Sequence, residues 1–358
     1  MATTTVASAN QRQEFEKKFF AEYVRDSLFA PYMGEDENSI IQVKTQLTDN
    51  AGLIINVPLV TRLTSTGVTG DNTLEGNEEA MLNYNHALNI AQIRNAISFG
   101  VQEQQSTAID LMKAGRQMLK LWIMDDLRDA ILTAMGSAKT DGTTAYGSCT
   151  EAERDAWLAA NYVSATNTRI LFGAVASNSS TEDHSTSLGN VDSTTDKFLF
   201  ATVQLMKRLL KKADPHIRPV KVNKGREYYV AFVESYSFRD LKTDMVEELR
   251  DAHTRGSDNP LFQDPDLEAD GVLVREVPEI AVISGVGNGG IDVAPNYFCG
   301  AQAVGCAWSQ RSKFVTQMDD YENLQGVAVS EIRGVEKLTY NSFQHGMGTL
   351  YTSGVADS

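Results

Sequence analysis

Two short stretches of this sequence carry residue types that bind phosphate groups or metal ions. The first, Gly285–Gly290, reads Gly-Val-Gly-Asn-Gly-Gly and matches the glycine pattern of dinucleotide sites. In those sites the glycines open a helix whose amino end holds the pyrophosphate, whereas Pro295 interrupts any helix that begins here. We therefore interpret Gly285–Gly290 as a tight turn. The alternative function is an intracellular oligomeric ligand-binding protein or enzyme that uses this turn.

The second stretch is acidic and alternates like a calcium-binding loop. Its carboxylates are Asp264, Asp266, Glu268 and Asp270. Its glycine, Gly271, is misplaced, and Arg275 stands where a calcium loop needs a bidentate glutamate. The five histidines also lack the spacing of metal-ligand or catalytic pairs; they are His86, His184, His216, His253 and His345. The sequence thus predicts no catalytic residue, no cofactor and no metal site, and a protein that is not an enzyme.

Charge and composition narrow the class of protein. The 358 residues include 32 basic and 47 acidic side chains, which gives a net charge of −15. Hydrophobic residues make up 42% of the chain. Phosphate binding needs clustered Lys and Arg, so this balance argues against a protein that coats nucleic acid. The three cysteines, Cys149, Cys299 and Cys306, are too scattered for a disulfide framework, and we interpret them as reduced thiols. No apolar run reaches the roughly 20 residues that span a bilayer.

The longest predicted element is one amphipathic helix over residues 106–136, which would position any site built on it. Its apolar residues recur at helical spacing. Thr107 with Asp110 offers a capping box at the amino end, and Gly136 is placed for a left-handed cap at the carboxyl end.

Shorter elements follow along the chain. Thr150 and Glu153 form the capping box of a short helix, and further helices are predicted over residues 196–213 and 238–253. The polar, low-complexity segment 176–195 is predicted to be a surface loop.

The stretch from residue 40 to residue 100 predicts a projecting hairpin. Segments 40–47, 53–63 and 86–100 are rich in β-branched and apolar residues, which favours strands, and the alternation slips near Ile90, which predicts a bulge or sharp twist. Residues 64–85 are polar and glycine-rich and lack Lys and Arg, and loops of that length are usually functional or disordered. Without βαβ alternation, the chain is predicted to be α+β with mixed antiparallel sheets.

The amino-terminal segment is predicted to be a tail over residues 1–13, followed by an amphipathic helix that Pro31 stops. This helix either folds back on its own subunit or reaches a neighbour through its apolar side chains, among them Phe15, Phe19, Phe20 and Tyr23.

The strongest charge cluster lies in residues 207–226. It begins with Lys207, Arg208, Lys211 and Lys212. Such a cluster is either a solvated helix face or a contact with an acidic neighbouring subunit, for which the acidic loop 71–79 is a suitable counterpart.

Five strings resemble a known family in the same order as they occur here. They are KKFFAEYVRDSLFAPYMGED, the run from VPLVTRL through VTGDNTLEGNEEA to IRNAI, IRPVKVNKGREYYVAFV, RGSDNPLF and YFCGAQAVGCAW. They resemble the major capsid proteins of tailed phages typified by the enterobacterial podovirus N-four. The likeness is collinear from about Lys17 to Val335 and omits the tail and the segment around 176–195.

The resemblance implies the Hong Kong 97-type capsid fold. In that fold residues 1–38 are the amino-terminal arm, 39–100 the extended E-loop hairpin, and 101–139 the spine helix of the peripheral domain. Residues 140–300 mainly form the axial domain with some peripheral-domain strands, and 301–358 return to the peripheral domain. The E-loop residues implied in contacts between subunits are Thr66, Gly67, Gly70, Asp71, Leu74, Glu75, Glu78 and Glu79.

The implied function is a major capsid protein that self-assembles through hexamers and pentamers into an icosahedral shell around double-stranded DNA. Its partners would be copies of itself and the portal, scaffolding and decoration proteins, with no sequence-specific DNA binding and no membrane. It would assemble in the bacterial cytoplasm and end in the virion capsid. Some relatives crosslink through an E-loop lysine, but no lysine lies between Lys44 and Lys113, so an uncrosslinked shell is expected. Few residues precede the arm, so no internal scaffolding segment is expected.

Overall fold

The computed structural model describes residues 28–48, 52–180, 182–222, 225–246 and 267–357. The predicted arm residues Phe15, Phe19, Phe20 and Tyr23, and also His253, Asp264 and Asp266, lie outside these ranges. The helices are α1 Val101–Ser106, α2 Leu111–Gly136, α3 Glu151–Asn161, α4 His184–Gly189, α5 Phe200–Lys212 and α6 Ser235–Asp244.

The strands are β1 Met33–Gly34, β2 Ile41–Lys44, β3 Ile54–Val60, β4 Asn83–Asn89, β5 Ala91–Gly100, β6 Tyr162–Ser164, β7 Asn167–Thr168, β8 Ile170–Phe172 and β9 Val220–Val222. They continue with β10 Arg226–Val233, β11 Leu267–Ala269, β12 Val272–Glu276, β13 Val293–Cys299, β14 Val304–Asp319, β15 Leu324–Lys337, β16 Thr339–Tyr340, β17 Phe343–Gln344 and β18 Met347–Ser353. Helices and mixed sheets are segregated along the chain, which confirms the predicted α+β class.

The chain divides into two compact units. The larger contains Phe29–Ala91, Asp129–Ser309 and Arg333–Ser358. The described part of the smaller one is built mainly from Gln92–Arg128 and Gln310–Ile332.

A seven-stranded mixed sheet forms the centre of the larger unit. Its order is β11-β12-β10-β13-β18-β8, and β9 pairs with β10 outside this path. One face is covered by α5 and α6, because α5 buries Val203, Met206 and Leu210 at helical spacing against the sheet. The opposite face packs against α3 and α4, with Trp157 as its largest buried side chain.

In the smaller unit α2 packs on β15. Leu119 and Ile123 of α2 are buried against Val327 and Val329. A side chain at Gly115 would lie 3.3 Å from the Val327 Cγ1 atom, so glycine lets helix and strand approach closely at this point.

The long predicted helix is correct in type but not at its ends. Residues 101–139 do not form one spine helix, because the chain leaves α1 after Ser106 and enters α2 at Leu111. The cap of α2 is Asp110, whose Oδ1 accepts the Lys113 amide at 3.0 Å.

The interpretation of Gly136 was also wrong. It is the last residue of α2 and does not adopt the left-handed conformation of a cap. A side chain there would lie 2.7 Å from the Tyr297 hydroxyl, so close packing explains the glycine.

The prediction of a polar surface loop over residues 176–195 is wrong. The segment contains α4, and Leu188 and Val191 are buried. Asp196, predicted to begin a helix, is buried instead and accepts the amides of Ala174 at 2.7 Å and Asp192 at 3.0 Å. A polar sequence resembles a solvated loop, but here its polar groups bond to one another.

Within the predicted hairpin segment 39–100, the strands pair with different partners. β3 and β4 pair with each other from Ile54 to Asn89, whereas β5 lies beside β15 in another sheet and β2 pairs with β14. The predicted slip at Ile90 is confirmed, because β4 ends and β5 begins on either side of it. The capping box of α3 is also confirmed, since Thr150 accepts the Glu153 amide at 3.4 Å and Glu153 accepts the Thr150 amide at 2.9 Å.

Candidate functional site

The projecting hairpin, Ile54–Asn89, is the most exposed element of the described residues. Its two strands pair only with each other in the sheets that the structure describes, and the residues between Thr64 and Leu82 form almost no regular structure. Gly67, Gly70 and Gly76 have positive φ values near +70° to +90°, which glycine adopts without strain. The sequence therefore builds a tip from turns.

One carboxylate organises the entrance to this tip. Glu79 Oε2 accepts the Ser65 amide at 2.7 Å, and Oε1 accepts the Thr64 amide at 2.7 Å and its hydroxyl at 3.0 Å. The Thr64 amide, followed by the Ser65 amide, lowers the pKa of Glu79 because these donors favour the charged carboxylate. Glu79, predicted to contact another subunit, thus ties the two sides of the loop together.

The other predicted contact residues of the tip are available to a partner. Thr66, Gly67, Gly70, Asp71, Leu74, Glu75 and Glu78 are all exposed. The hairpin also exposes large apolar side chains, with Leu74 at 61% and Met81 at 67% of full exposure. Leu53, Ile54, Val60, Leu63 and Leu82 extend this surface. An exposed apolar surface of this kind is typical of an interaction site.

The base of the hairpin contains a buried histidine–glutamate pair. His86 Nε2 lies 3.1 Å from Glu336 Oε2, and His86 Nδ1 lies 3.1 Å from the Thr339 carbonyl oxygen. The Thr339 hydroxyl donates to the Thr140 carbonyl at 3.0 Å, so both imidazole nitrogens face acceptors. Glu336 Oε1 accepts the Asn89 amide at 2.9 Å. This cluster, which ties β4 to β15 and β16, has no local sequence signal, because its residues are about 250 positions apart.

The basic cluster separates into one paired and three exposed residues. Lys207 Nζ lies 3.1 Å from Asp270 Oδ2 and also donates to the Asp270 carbonyl. Arg208, Lys211 and Lys212 are exposed on the solvent side of α5. Within the chain, Lys207 is thus paired and the other three are accessible, and a contact of this cluster with a neighbouring subunit stays a prediction.

The glycine-rich turn lacks the geometry of a phosphate site. Residues 285–290 connect Ile283 to Val293, which form an antiparallel bridge, and β13 follows directly. A side chain at Gly287 would lie 2.6 Å from Ile291, so this glycine is required by packing. Asp270 and Gly271, from the acidic stretch, have φ values of 49° and 70° and form the turn between β11 and β12.

Three other carboxylates come close enough to share a cation. Oxygens of Glu151, Asp155 and Asp183 lie within 4.8 Å of one another. Each already has a partner: Glu151 lies 3.4 Å from Arg154, Asp155 accepts the His184 amide at 2.8 Å, and Asp183 caps α4. These partners within the chain explain why the three carboxylates lie where they do.

Two of the buried basic side chains, Lys337 and His184, have strongly lowered pKa values. Lys337 Nζ donates to the Ser137 carbonyl and lies 3.3 Å from Gln344 Oε1, and burial lowers its pKa to about 7. His184 lies among the rings of Trp157 and Phe172, and burial lowers its pKa to about 3.

Comparison with known proteins shows the family of the chain. A model of the phage capsid protein family matches residues 3–355. The chain belongs to the phage capsid protein family. It is 26% identical over 349 residues to the major capsid protein of Pseudomonas phage KPP25, covering 93% of this chain and 90% of that protein.

Solved capsid structures share the fold. The capsid of cyanophage Pam1 is 38% identical and superposes with a TM-score of 0.90, covering 100% of both chains. The capsid of Ralstonia phage GP4 is 22% identical with a TM-score of 0.75, again over 100% of both chains. The Hong Kong 97-type fold implied by the resemblance is confirmed, whereas the narrower likeness to the N-four type and the domain boundaries stay predictions. None of the helices in the described residues is long and apolar enough to cross a membrane.

Proposed function

We propose that this chain is a phage major capsid protein whose copies assemble, through hexamers and pentamers, into a closed icosahedral shell. The relatives named as capsid proteins, one of them 38% identical over its whole length, support this. The shell would enclose double-stranded DNA without sequence-specific contacts, in line with the net charge of −15. Assembly would take place in the host bacterial cytoplasm, with portal, scaffolding and decoration proteins as further partners.

The projecting hairpin is the observation that carries the proposal. Only the base of the hairpin is buried against its own subunit, whereas Leu74 and Met81 towards the tip are exposed. In a shell, a neighbouring copy would cover the apolar side chains and the unpaired strand edges. The hairpin then acts as the E-loop, and the amino-terminal segment that carries Phe15 and Phe19 is the second segment proposed to reach a neighbour.

Expression of the full chain, alone and with the neighbouring phage genes, tests the proposed role. We expect closed shells, tubes or isolated capsomers in negative-stain micrographs, with matching light-scattering mass. A chain that stays monomeric under all these conditions would contradict the proposal, and a ligand of the Gly285–Gly290 turn would then be sought.

Reversing the charge of the α5 basic cluster is expected to weaken assembly. Lys211→Glu with Lys212→Glu would place acids opposite the acidic tip, where Asp71, Glu75 and Glu78 are exposed. We expect the shell yield, measured by sedimentation, to fall at low salt and partly recover at high salt, because salt screens the repulsion.

The matched control for this charge reversal is Lys197→Glu with Lys242→Glu, two exposed positions outside the cluster that change the net charge equally. Equal yields from both double variants would show that the cluster is only a solvated helix face. Adding Asp71→Lys and Glu75→Lys to the first variant should restore assembly.

Shells of this protein are expected to dissociate fully in denaturant. No lysine lies between Lys44 and Lys113, so the hairpin offers no amine for a covalent bond to a neighbour. Boiled shells should give a single band near 39.3 kDa on a reducing denaturing gel. A ladder of covalent oligomers would show that a lysine elsewhere forms the bond.

A further inference from the structure

The turn that joins β14 to β15, Asp319–Asn323, presents one aromatic side chain to solvent. Tyr321 is fully exposed, at 104% of the reference area. Asp320, Tyr321 and Glu322 have φ values of 51°, 53° and 70°, a conformation that non-glycine residues rarely adopt. The turn is held at its end, because the Asn323 amide bonds to the Asp320 carbonyl at 3.0 Å and the Asn323 carbonyl accepts the Val101 amide at 3.0 Å. These hydrogen bonds hold the backbone of the turn that carries Tyr321.

Acidic side chains surround this tyrosine. Asp319, Asp320 and Glu322 flank it in sequence, and all are exposed. Along β14, towards the turn, Phe314, Val315 and Met318 are exposed as well. A solvated loop does not need an aromatic ring at its tip, whereas tyrosine is a frequent anchor of protein interfaces.

A groove lined by basic side chains lies on α2 of the same unit. It has a volume of ≈ 590 Å³ and is lined by Arg116, Gln117, Lys120 and Phe314. Both basic side chains are exposed, and Phe314 is 42% exposed. Such a groove offers an aromatic ring beside two cations, which suits an aromatic residue carrying acidic neighbours.

We propose that the Tyr321 turn of one copy docks into the α2 groove of a second copy. The two surfaces match in charge and in aromatic character. Full exposure of Tyr321 shows that it does not occupy the groove of its own chain. The ring would stack on Phe314 and the Arg116 guanidinium, while Asp320 and Glu322 would face Lys120. This inference rests on the proposed self-assembly and names a second contact, distinct from the projecting hairpin.

Disulfide trapping tests the contact directly. A chain with Tyr321→Cys and Lys120→Cys is assembled, oxidised and run on a non-reducing gel. Cys149, Cys299 and Cys306 are buried and do not compete. We expect dimers and larger species that disappear on reduction, since two cysteines bridge only when their Cα atoms lie within about 7 Å.

The competing occupant of the groove is the acidic tip of the projecting hairpin. A second chain with Leu74→Cys and Lys120→Cys measures that alternative. Shells that crosslink through Leu74→Cys but not through Tyr321→Cys would overturn the inference. Shells that crosslink through neither pair would also overturn it, while leaving the capsid role intact. Failure of the unaltered chain to assemble would instead contradict the proposed function.

Substitution of the tyrosine gives a second readout. Tyr321→Ala should raise the protein concentration needed for assembly by about tenfold or more, as expected for the loss of one interface anchor. Tyr321→Phe keeps the ring and should assemble nearly as the unaltered chain does. Because Tyr321 is fully exposed, neither change should alter folding. An unchanged assembly concentration for Tyr321→Ala would overturn the inference.

Discussion

Glu336→Ala is expected to lower the free energy of unfolding of the unassembled chain by about 1–3 kcal/mol, the usual cost of leaving a buried donor without its acceptor. Glu336 is 4% exposed, and its carboxylate accepts bonds from His86 and from the Asn89 amide and side chain. Alanine would leave the buried His86 ring without the acceptor at Nε2 and would remove the bonds that Asn89 makes to this carboxylate. Urea unfolding, followed by circular dichroism, measures the change.

Two control variants test whether the loss of stability comes from breaking the His86–Glu336 pair or simply from losing a carboxylate. Glu336→Gln keeps a side chain of the same length, whose amide offers an acceptor and donors to Asn89 and His86, so it should cost clearly less than Glu336→Ala. Glu75→Ala removes an exposed carboxylate and should stay within about 0.5 kcal/mol of the unaltered chain. If Glu336→Ala also falls in that range, the pair does not stabilise the base of the hairpin.

Lys337→Met should remove a pH dependence of stability that the unaltered chain shows between pH 7 and 9. Burial lowers the pKa of Lys337 to about 7 from the usual 10.5. In this interval the unfolded chain holds a proton that the folded chain has released, so stability rises with pH by about 1.4 kcal/mol per pH unit. Because Lys337 is only half deprotonated at pH 7, the full slope is reached above about pH 8, and the difference between the two proteins should change by about 2 kcal/mol from pH 7 to 9. Below pH 7 the lysine is charged in both states and this contribution stops changing.

Denaturant unfolding of both proteins at several pH values measures that difference. Lys197→Met, at an exposed position, is the control and should follow the unaltered chain in parallel. Methionine leaves the Ser137 carbonyl without its lysine donor, so the absolute stability of the variant reflects both the lost hydrogen bond and the lost charge. The slope of stability with pH reports the titration of the lysine alone. Parallel curves for Lys337→Met and the unaltered chain would show that Lys337 titrates normally.

Local spacing predicted most of the regular elements. The amphipathic stripe of α2 and the capping box of Thr150 and Glu153 both depend on residues within a few positions of one another. The projecting hairpin was also visible, because residues 64–85 are too polar and glycine-rich for a packed element. Family strings, and not periodicity, supplied the capsid fold.

Long-range contacts explain the errors. Asp196 resembled the start of a helix, but it accepts the amide of Ala174, 22 residues earlier in the chain, as well as the nearby amide of Asp192. Gly136 resembled a cap, but the Tyr297 hydroxyl on a distant strand excludes a side chain there. Lys207 also pairs with Asp270, 63 residues away, a contact that no spacing along the chain predicts.

The sequence by itself thus determined the order of helices and strands, the exposed hairpin and the family, because periodicity and distinctive strings are properties of neighbouring residues. Only the tertiary structure decided that His86 meets Glu336, that Lys337 is buried, and that the Tyr321 turn and the α2 groove both remain uncovered. Burial and charge pairing depend on which surfaces of distant segments come together, and no spacing along the chain encodes that directly.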